Sequence, residues 1–425
     1  MNLRPLHYGW IVLAVTFAVL LVAGGVRSAP GALMLPMEQE FGWDRSVVSL
    51  SVSINLIVFG LCGPFMAAFI NRFGIRRMML FSLCMLATGT FATTWIQSEW
   101  QLHLLWGLIV GLGNGTLLTV MGATVANRWF VRKRGLALGM LTASAATGQM
   151  IFLPMIAHLA TLVRWQTALW TLAAAALLML LPVWRLVRSP SELGIQPFGA
   201  EEGAGEPGLQ TSRPENPFFA AWRGLRLALG SRNFWFLSGS FFICGLSTSG
   251  LVTTHLIPAG VHHGIPEVSA AGTLALMGFF DVWGTTLSGW LSDRLDNRWL
   301  LFWYYGLRGI SLLCLPLAMD SSYWTLVAFA VFYGLDWVAT LPPTVKLTTN
   351  LFGSANGVIV YGWVYAMHQI GSGIAAYGGG LIYKFSGDYN NAFWLAGLAC
   401  LLSSGIVLGI GKVKHPALSA HTYLR

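Results

Sequence analysis

Charge is what this chain has least of. Asp, Glu, Lys and Arg make up 10% of its 425 residues, against roughly 25% in soluble globular domains. With 55% hydrophobic residues and a mean hydropathy of +0.64, that deficit excludes a water-soluble fold and predicts an all-α polytopic membrane protein, since a helix satisfies its own backbone in lipid. Cysteine is also scarce. Cys62, Cys84, Cys244, Cys314 and Cys400 all fall inside apolar runs with no metal-ligand spacing, which argues against a disulfide framework and against a metal site. Nowhere do a nucleophile, a base and a metal ligand gather at one depth, and no ATP motif is visible, so neither an enzyme nor a cofactor is expected. Gly111-Leu112-Gly113-Asn114-Gly115 has the glycines of a phosphate turn but no preceding strand, and reads as tight helix packing.

What the chain does have is long apolar runs. They begin near Tyr8, Ser46, Met78, Leu102, Gly135 and Thr167, then near Asn233, Val268, Leu300, Tyr323, Gly357 and Asn391, each long enough to cross a hydrocarbon layer of about 30 Å. Twelve spans in two sets of six divide the chain into residues 1–188, a polar linker at 189–232, and residues 233–425. Glycine, proline and glutamate make the start of the linker read as flexible. From Phe218 to Gly230 it turns amphipathic, with Arg223 and Arg226 opposite apolar residues, as expected of a helix lying in the membrane interface.

Basic residues set the orientation. Arg72, Arg76, Arg77, Arg128, Arg132, Lys133 and Arg134 fall on one side, while the opposite loops hold only Arg45, Arg164 and Lys384. By the positive-inside rule both termini are cytoplasmic. The net charge of +9 is thereby accounted for without a nucleic-acid partner. The stretch from Gly9 to Leu35 is too long for a cleaved signal and is taken as the first span. Short loops and tails suggest a bacterial inner membrane, a multi-pass topology and a monomer.

The two halves are related. Sliding the sequence by 222 residues places Asn71 on Asp293, Arg72 on Arg294, Pro36 on Pro258, Gly42 on Gly264, Phe130 on Phe352 and Gly135 on Gly357. One offset satisfied at separated places implies a duplication. Among the repeated elements is the charged turn Gly289-Trp290-Leu291-Ser292-Asp293-Arg294, whose weaker copy is Ala67-Ala68-Phe69-Ile70-Asn71-Arg72.

Twelve spans in two repeated halves, a long central linker, and a Gly-x-x-x-Asp-Arg turn after the eighth span with a weaker copy after the second resemble the major facilitator superfamily of secondary transporters. Within it, Arg128-Trp129-Phe130-Val131-Arg132-Lys133-Arg134-Gly135 is similar to the start of the fifth span in the monocarboxylate transporter family, and Tyr8-Gly9-Trp10 to that family's first-span signature. The resemblance implies alternating access between two six-helix bundles. The family places an arginine four residues after the aspartate of the eighth span. Here Thr285 follows Asp281.

Charge inside a bilayer costs about 2.5 kcal/mol or more per residue and needs a reason. Arg27 is the candidate anion-binding group, because a planar guanidinium grips a carboxylate through two hydrogen bonds; snorkelling to the outer surface is the plain reading. Asp281 and Arg308 stand at similar depths and are expected to pair, either as a structural ion pair or as part of a proton path. Asp336, beside the helix-disturbing Pro342 and Pro343, is a second proton-coupling candidate or a structural hydrogen-bonding group. Lys346 reads as a snorkelling residue. Asn114, Ser247, Thr248, Ser249, Thr253, Thr254, His255, Tyr361, Tyr365, His368 and Gln369 are available to line a cavity, with Asn114, Thr248, His255, Tyr361, Tyr365 and His368 the expected substrate-binding set and His368 either a titrating group or a packed core residue.

At the cytoplasmic face, Asn71, Arg72, Arg132, Lys133, Arg134, Asp293 and Arg294 are expected to form a gate, with an ionic latch between Asp293 and the Arg132 to Arg134 cluster and a hydrogen-bonded one at Asn71. The function expected is secondary transport of a small organic anion, carboxylate-like, coupled to H+ by symport. The alternative is import or export of a larger or neutral compound. A membrane sensor is the remaining class.

Overall fold

The computed structural model describes residues 7–200 and 217–411. Among these the fold is all-α, with a single isolated bridge between Phe130 and Phe198 as its only β pairing. The first half runs α1 (Tyr8–Phe41), α2 (Arg45–Phe73), α3 (Ile75–Ala92), α4 (residues 99–129), α5 (Arg134–Leu162) and α6 (Trp165–Leu186). A surface helix, α7 (Pro217–Leu229), leads into the second half. That half runs α8 (Arg232–His262), α9 (Glu267–Ser292), α10 (Asn297–Ser321), α11 (Tyr323–Asp336), α12 (Leu341–Ser386) and α13 (Asn390–Val407). Helix α12 is kinked at Gly353, whose φ of 78° is in the left-handed region, so the part before the kink completes the span that α11 begins. Nine helices among the described residues are long and apolar enough to cross a membrane. The runs that begin near Leu102, Val268 and Gly357 are helical too.

Small residues set how closely the helices pack. Within the first half α1 packs on α5 and α6, and α2 and α3 on α4; within the second, α8 packs on α12 and α13, and α9 on α11. The halves meet along α2 with α12, α5 with α9, and α1 with α8. A methyl group on Gly284 would lie 1.8 Å from the Leu335 carbonyl oxygen, and one on Gly148 would lie 2.0 Å from that of Leu21. Backbone meets backbone at both places, as helix association in lipid demands. Gly284→Ala is therefore expected to destabilise the second half by roughly 1–3 kcal/mol through overpacking, read as a lowered melting temperature in detergent. Gly289, with nothing near its added methyl, is the control and should tolerate alanine.

The beginning of the linker departs from its expected flexibility. Pro190–Leu193 forms one helical turn, and Phe198 then pairs with the α4–α5 turn: its N–H donates to Trp129 O at 2.8 Å, and its carbonyl accepts from Val131 N and Arg132 N at 3.0 and 3.1 Å. Trp129 Nε1 donates to Arg188 O, and Tyr8 Oη to Leu186 O. The composition reads as loose, yet its backbone groups have partners on the first bundle. Residues 188–198 are thus held on the first bundle.

Candidate transport pathway

Two ends of the bundle can be distinguished, the terminal end where α1 begins and α13 finishes, and the distal end with the α1–α2 turn. Between the halves, nearer the distal end, lies a cleft lined by Arg27, Asn55, Trp106, Ser249, Thr253 and Thr254, among others. In this conformation its free space accommodates only water-sized groups.

Arg27 dominates it. Its Nη2 donates to Ser249 Oγ at 3.3 Å, and its guanidinium carbon lies 4.8 Å from the centre of the Phe59 ring. No acidic side chain pairs with it among the described residues. Arg27 and Ser249 are 222 residues apart, the repeat offset itself. The same holds for Gly31 and Thr253, where an added methyl on the glycine would lie 2.9 Å from the Thr253 carbonyl oxygen. Equivalent positions of the two copies thus touch each other, which puts the arginine on the pseudo-two-fold axis. The backbone of α8 helps: Leu246–Val252 is wound as a π-helix, and the hydroxyls of Thr253 and Thr254 reach five residues back to Thr248 O and Ser249 O. Such wide turns mark functional segments and re-aim side chains.

A second cluster surrounds a break between α11 and α12, at residues 336–340. Arg308, only 1% exposed, donates Nε to Asp336 Oδ2 at 2.7 Å and Nη2 to the carbonyls of Asp336 and Trp337 at 2.6 and 3.1 Å. Asp281 Oδ1 accepts from Val338 N and from Thr285 Oγ1, both at 2.9 Å. Ser288, two turns on from Asp281, donates to Ala339 O at 2.5 Å. Proline at 342 and 343 cannot supply the amide donors that the Val338 and Ala339 carbonyls would take in a continuous helix; Leu341 N reaches Val338 O at 2.9 Å instead, and Ser288 serves Ala339 O. Side chains of α9 and α10 replace what the broken helix lacks. Arg308 therefore pairs with Asp336 rather than with Asp281, correcting the expected Asp281–Arg308 ion pair: depth along a helix brings the two near, but the guanidinium points to the carbonyl-rich break.

The distal end is closed by polar contacts between the halves. Arg45 packs 3.8 Å from the centre of the Tyr383 ring, pairs with Glu38 at 2.7 Å and donates to Tyr389 Oη at 3.3 Å. Burial pushes the Tyr389 phenol up to about 12, so it stays a neutral hydroxyl at physiological pH. Lys384 and Asp44 add an exposed pair at 2.6 Å.

The sequence pattern of the Major Facilitator Superfamily matches residues 15–284 and 267–422. The chain belongs to that superfamily. It is 27% identical to an uncharacterized MFS-type transporter, YcxA, of Bacillus subtilis (strain 168), over 93% of both chains. It is 26% identical to monocarboxylate transporter 12 of Rattus norvegicus, over 96% of this chain and 86% of that one. The crystal structure of a D-xylose-proton symporter superimposes with a TM-score of 0.73 at 14% identity, covering 96% of this chain and 98% of that one; the likeness is one of fold. A transporter of this superfamily is not an enzyme, and its two bundles are the repeat read from the sequence.

In this transporter the remaining expected site residues are dispersed. Tyr361, Tyr365 and His368 form a ring stack with Phe241, the Tyr365 and His368 planes being 3° apart, and Phe59 joins Tyr365 to the Arg27 side at 6.0 Å. Asn114 is buried with neither amide atom partnered among the described residues. Thr248 donates to Cys244 O within its own helix. His255 is buried against Tyr389, its Nε2 2.7 Å from Ala376 O, in the distal closure and not in the cleft.

The expected ionic latch of the cytoplasm-closed state is not formed in this conformation, in which the distal end is closed. Asp293 pairs with Lys346 at 2.5 Å, while Arg132, Lys133 and Arg134 are exposed with no carboxylate partner among the described residues. Lys346 wins because it lies in the same half and its ammonium also donates to Ser292 O, one of the carbonyls left open at the end of α9. Its ammonium, carried to the terminal end by the long side chain, caps α9. Arg294 stacks 4.0 Å from the Trp290 ring, Arg72 lies 5.5 Å from that of Phe73, and the Asn71 side chain lies outside the described residues. Asn55, Trp106 and Ser288 are additions to the expected set. Ser249, Thr253 and Thr254, expected as cavity-lining polar residues, do line the cleft, and the seven-residue spacing from Asp281 would have pointed to Ser288.

Proposed function

We propose that the chain is a proton-coupled symporter of a small organic anion, carboxylate in class, working by alternating access in a bacterial inner membrane with both termini in the cytoplasm. The observation that carries this reading is Arg27: a fixed positive charge without a carboxylate partner among the described residues, held between the two copies of the repeat. Sites between repeats near mid-membrane are where such folds bind cargo. The monocarboxylate transporters among the relatives support the substrate class. The aromatic ladder from Phe59 to Tyr365 and His368 favours an anion with an apolar body.

Coupling is assigned to the break. Asp281, Asp336 and Arg308 put two carboxylates beside one guanidinium in an apolar interior, and one proton balances that cluster. Asp336 is engaged by the guanidinium, so the proton belongs to Asp281. There it would be exchanged next to the amide of Val338, where α11 gives way to α12, linking proton transfer to the shape of the broken span.

The test uses purified protein in liposomes with lactate and benzoate as probes. Asp281→Asn keeps the oxygen that accepts from Val338 and Thr285 and resembles the protonated state. It should retain exchange of labelled for unlabelled anion yet lose accumulation driven by an imposed proton gradient. Undiminished gradient-driven accumulation in that variant would rule out Asp281 as the coupling group.

A further inference from the structure

Helix α7 has two faces of different chemistry. Ala221, Gly224 and Ala228 lie inward: Trp363 Nε1 donates to Ala221 O at 2.9 Å, and a methyl on Gly224 would meet Ile359 Cγ2 at 2.4 Å. These partners are on α12, in the second half. The Phe218 ring instead meets Phe65 at 5.2 Å and Phe69 at 5.8 Å, both on α2 in the first half. The helix thus lies across the terminal ends of the two helices that pack against each other along the interface between the halves.

The opposite face holds Phe219 and Trp222, 68% and 64% exposed, with Arg223 and Arg226 also exposed. Residues 219, 222, 223 and 226 recur at three- and four-residue spacing and share one face. Aromatic rings beside guanidinium groups suit the headgroup layer: the rings enter the acyl boundary while the cations meet phosphates. A free protein surface in water would gain nothing from exposing two large rings next to each other.

We propose that α7 is a lipid-docked crossbar, which takes anionic phospholipid headgroups of the cytoplasmic leaflet on Arg223 and Arg226 and so holds the terminal ends of α2 and α12 in the arrangement seen here. This rests on the orientation proposed above, not on the identity of the substrate or the coupling ion. Because α2 and α12 pack together from Gly60 against Gln369 to Gly380 against Ser49, fixing their terminal ends also favours the distal closure around Arg45, Tyr383 and Tyr389.

The test is hydrogen–deuterium exchange on the full chain in nanodiscs of phosphatidylcholine alone or mixed with phosphatidylglycerol. Phosphatidylglycerol should slow exchange in residues 217–229 and in residues 383–390, by roughly fivefold for each arginine engaged. Free phosphate added to the phosphatidylcholine discs should change neither segment. The double variant Arg223→Gln/Arg226→Gln should lose the lipid dependence, and Arg223→Lys/Arg226→Lys should keep it. Equal exchange in the two lipids, a dependence that survives in the glutamine variant, or an equal response to free phosphate would overturn the proposal. Protection of residues 217–229 without residues 383–390 would overturn the crossbar. None of these readouts needs transport activity, so their failure would leave the symport reading standing.

Discussion

Arg308→Met is expected to lower stability by about 3–5 kcal/mol, because it removes one partner of a buried ion pair and leaves the other uncompensated. The loss extends beyond the Asp336 carboxylate: the Trp337 carbonyl also loses its donor, and a buried acceptor left bare adds about 1–3 kcal/mol before relaxation, while the Asp336 carbonyl keeps only the Ala339 amide at 3.3 Å. Thermal unfolding in detergent measures it. The double variant Arg308→Met/Asp336→Leu separates the two parts. It removes the orphaned charge and should recover a good part of the stability, while the carbonyls at the break stay uncapped and gradient-driven accumulation stays lost. Full recovery of both stability and accumulation would mean that the arginine serves only to neutralise Asp336, and that the break needs no cap.

That cluster also shows where reading from the sequence stops. Periodicity and run length reveal the helices and the duplication, because crossing lipid requires a continuous apolar stretch and the repeat preserves its spacing. Depth is legible as well, so Asp281, Arg308 and Asp336 all stand out as charges needing a reason. Rotation about each helix axis is not legible to the same degree. Arg308 therefore turns to a carboxylate 28 residues onward instead of the one expected, and Thr285, conspicuous in the sequence only for not being an arginine, proves to be a hydrogen-bond donor to Asp281. At the terminal end, charge matching pairs Asp293 with the Arg132 cluster and overlooks Lys346, whose long side chain reaches the same carboxylate from within its own half. The start of the linker is misread for another reason. Phe198 pairs with Trp129 and Val131 through backbone groups and packs its ring against Trp10 and Phe130, and one aromatic side chain in a segment rich in Gly, Pro and Ser leaves almost no mark on composition.

Arg27→Gln is expected to act in the opposite sense to Arg308→Met on stability and as strongly on function. The Arg27 guanidinium has a hydroxyl and an aromatic face as partners, neither of which compensates a full charge, so removing it should leave the melting temperature unchanged or raise it. Function-bearing positions commonly carry such a stability cost. Binding of a carboxylate should fall by roughly 10- to 150-fold, corresponding to about 1.5–3 kcal/mol for hydrogen bonds to a charged group. Arg27→Lys keeps the charge but not the two-pronged geometry, and should fall between wild type and the glutamine variant. Lactate and benzoate, titrated by thermal shift and by competition in uptake, provide the measurement, with an uncharged analogue such as benzyl alcohol as the control. Weak carboxylate binding together with an undiminished melting temperature is the signature of a group held for cargo. Wild-type carboxylate affinity in Arg27→Gln, or stronger competition by the alcohol than by either acid in the native protein, would move the cargo to the neutral class and leave Arg27 as a polar link between α1 and α8 on the repeat axis.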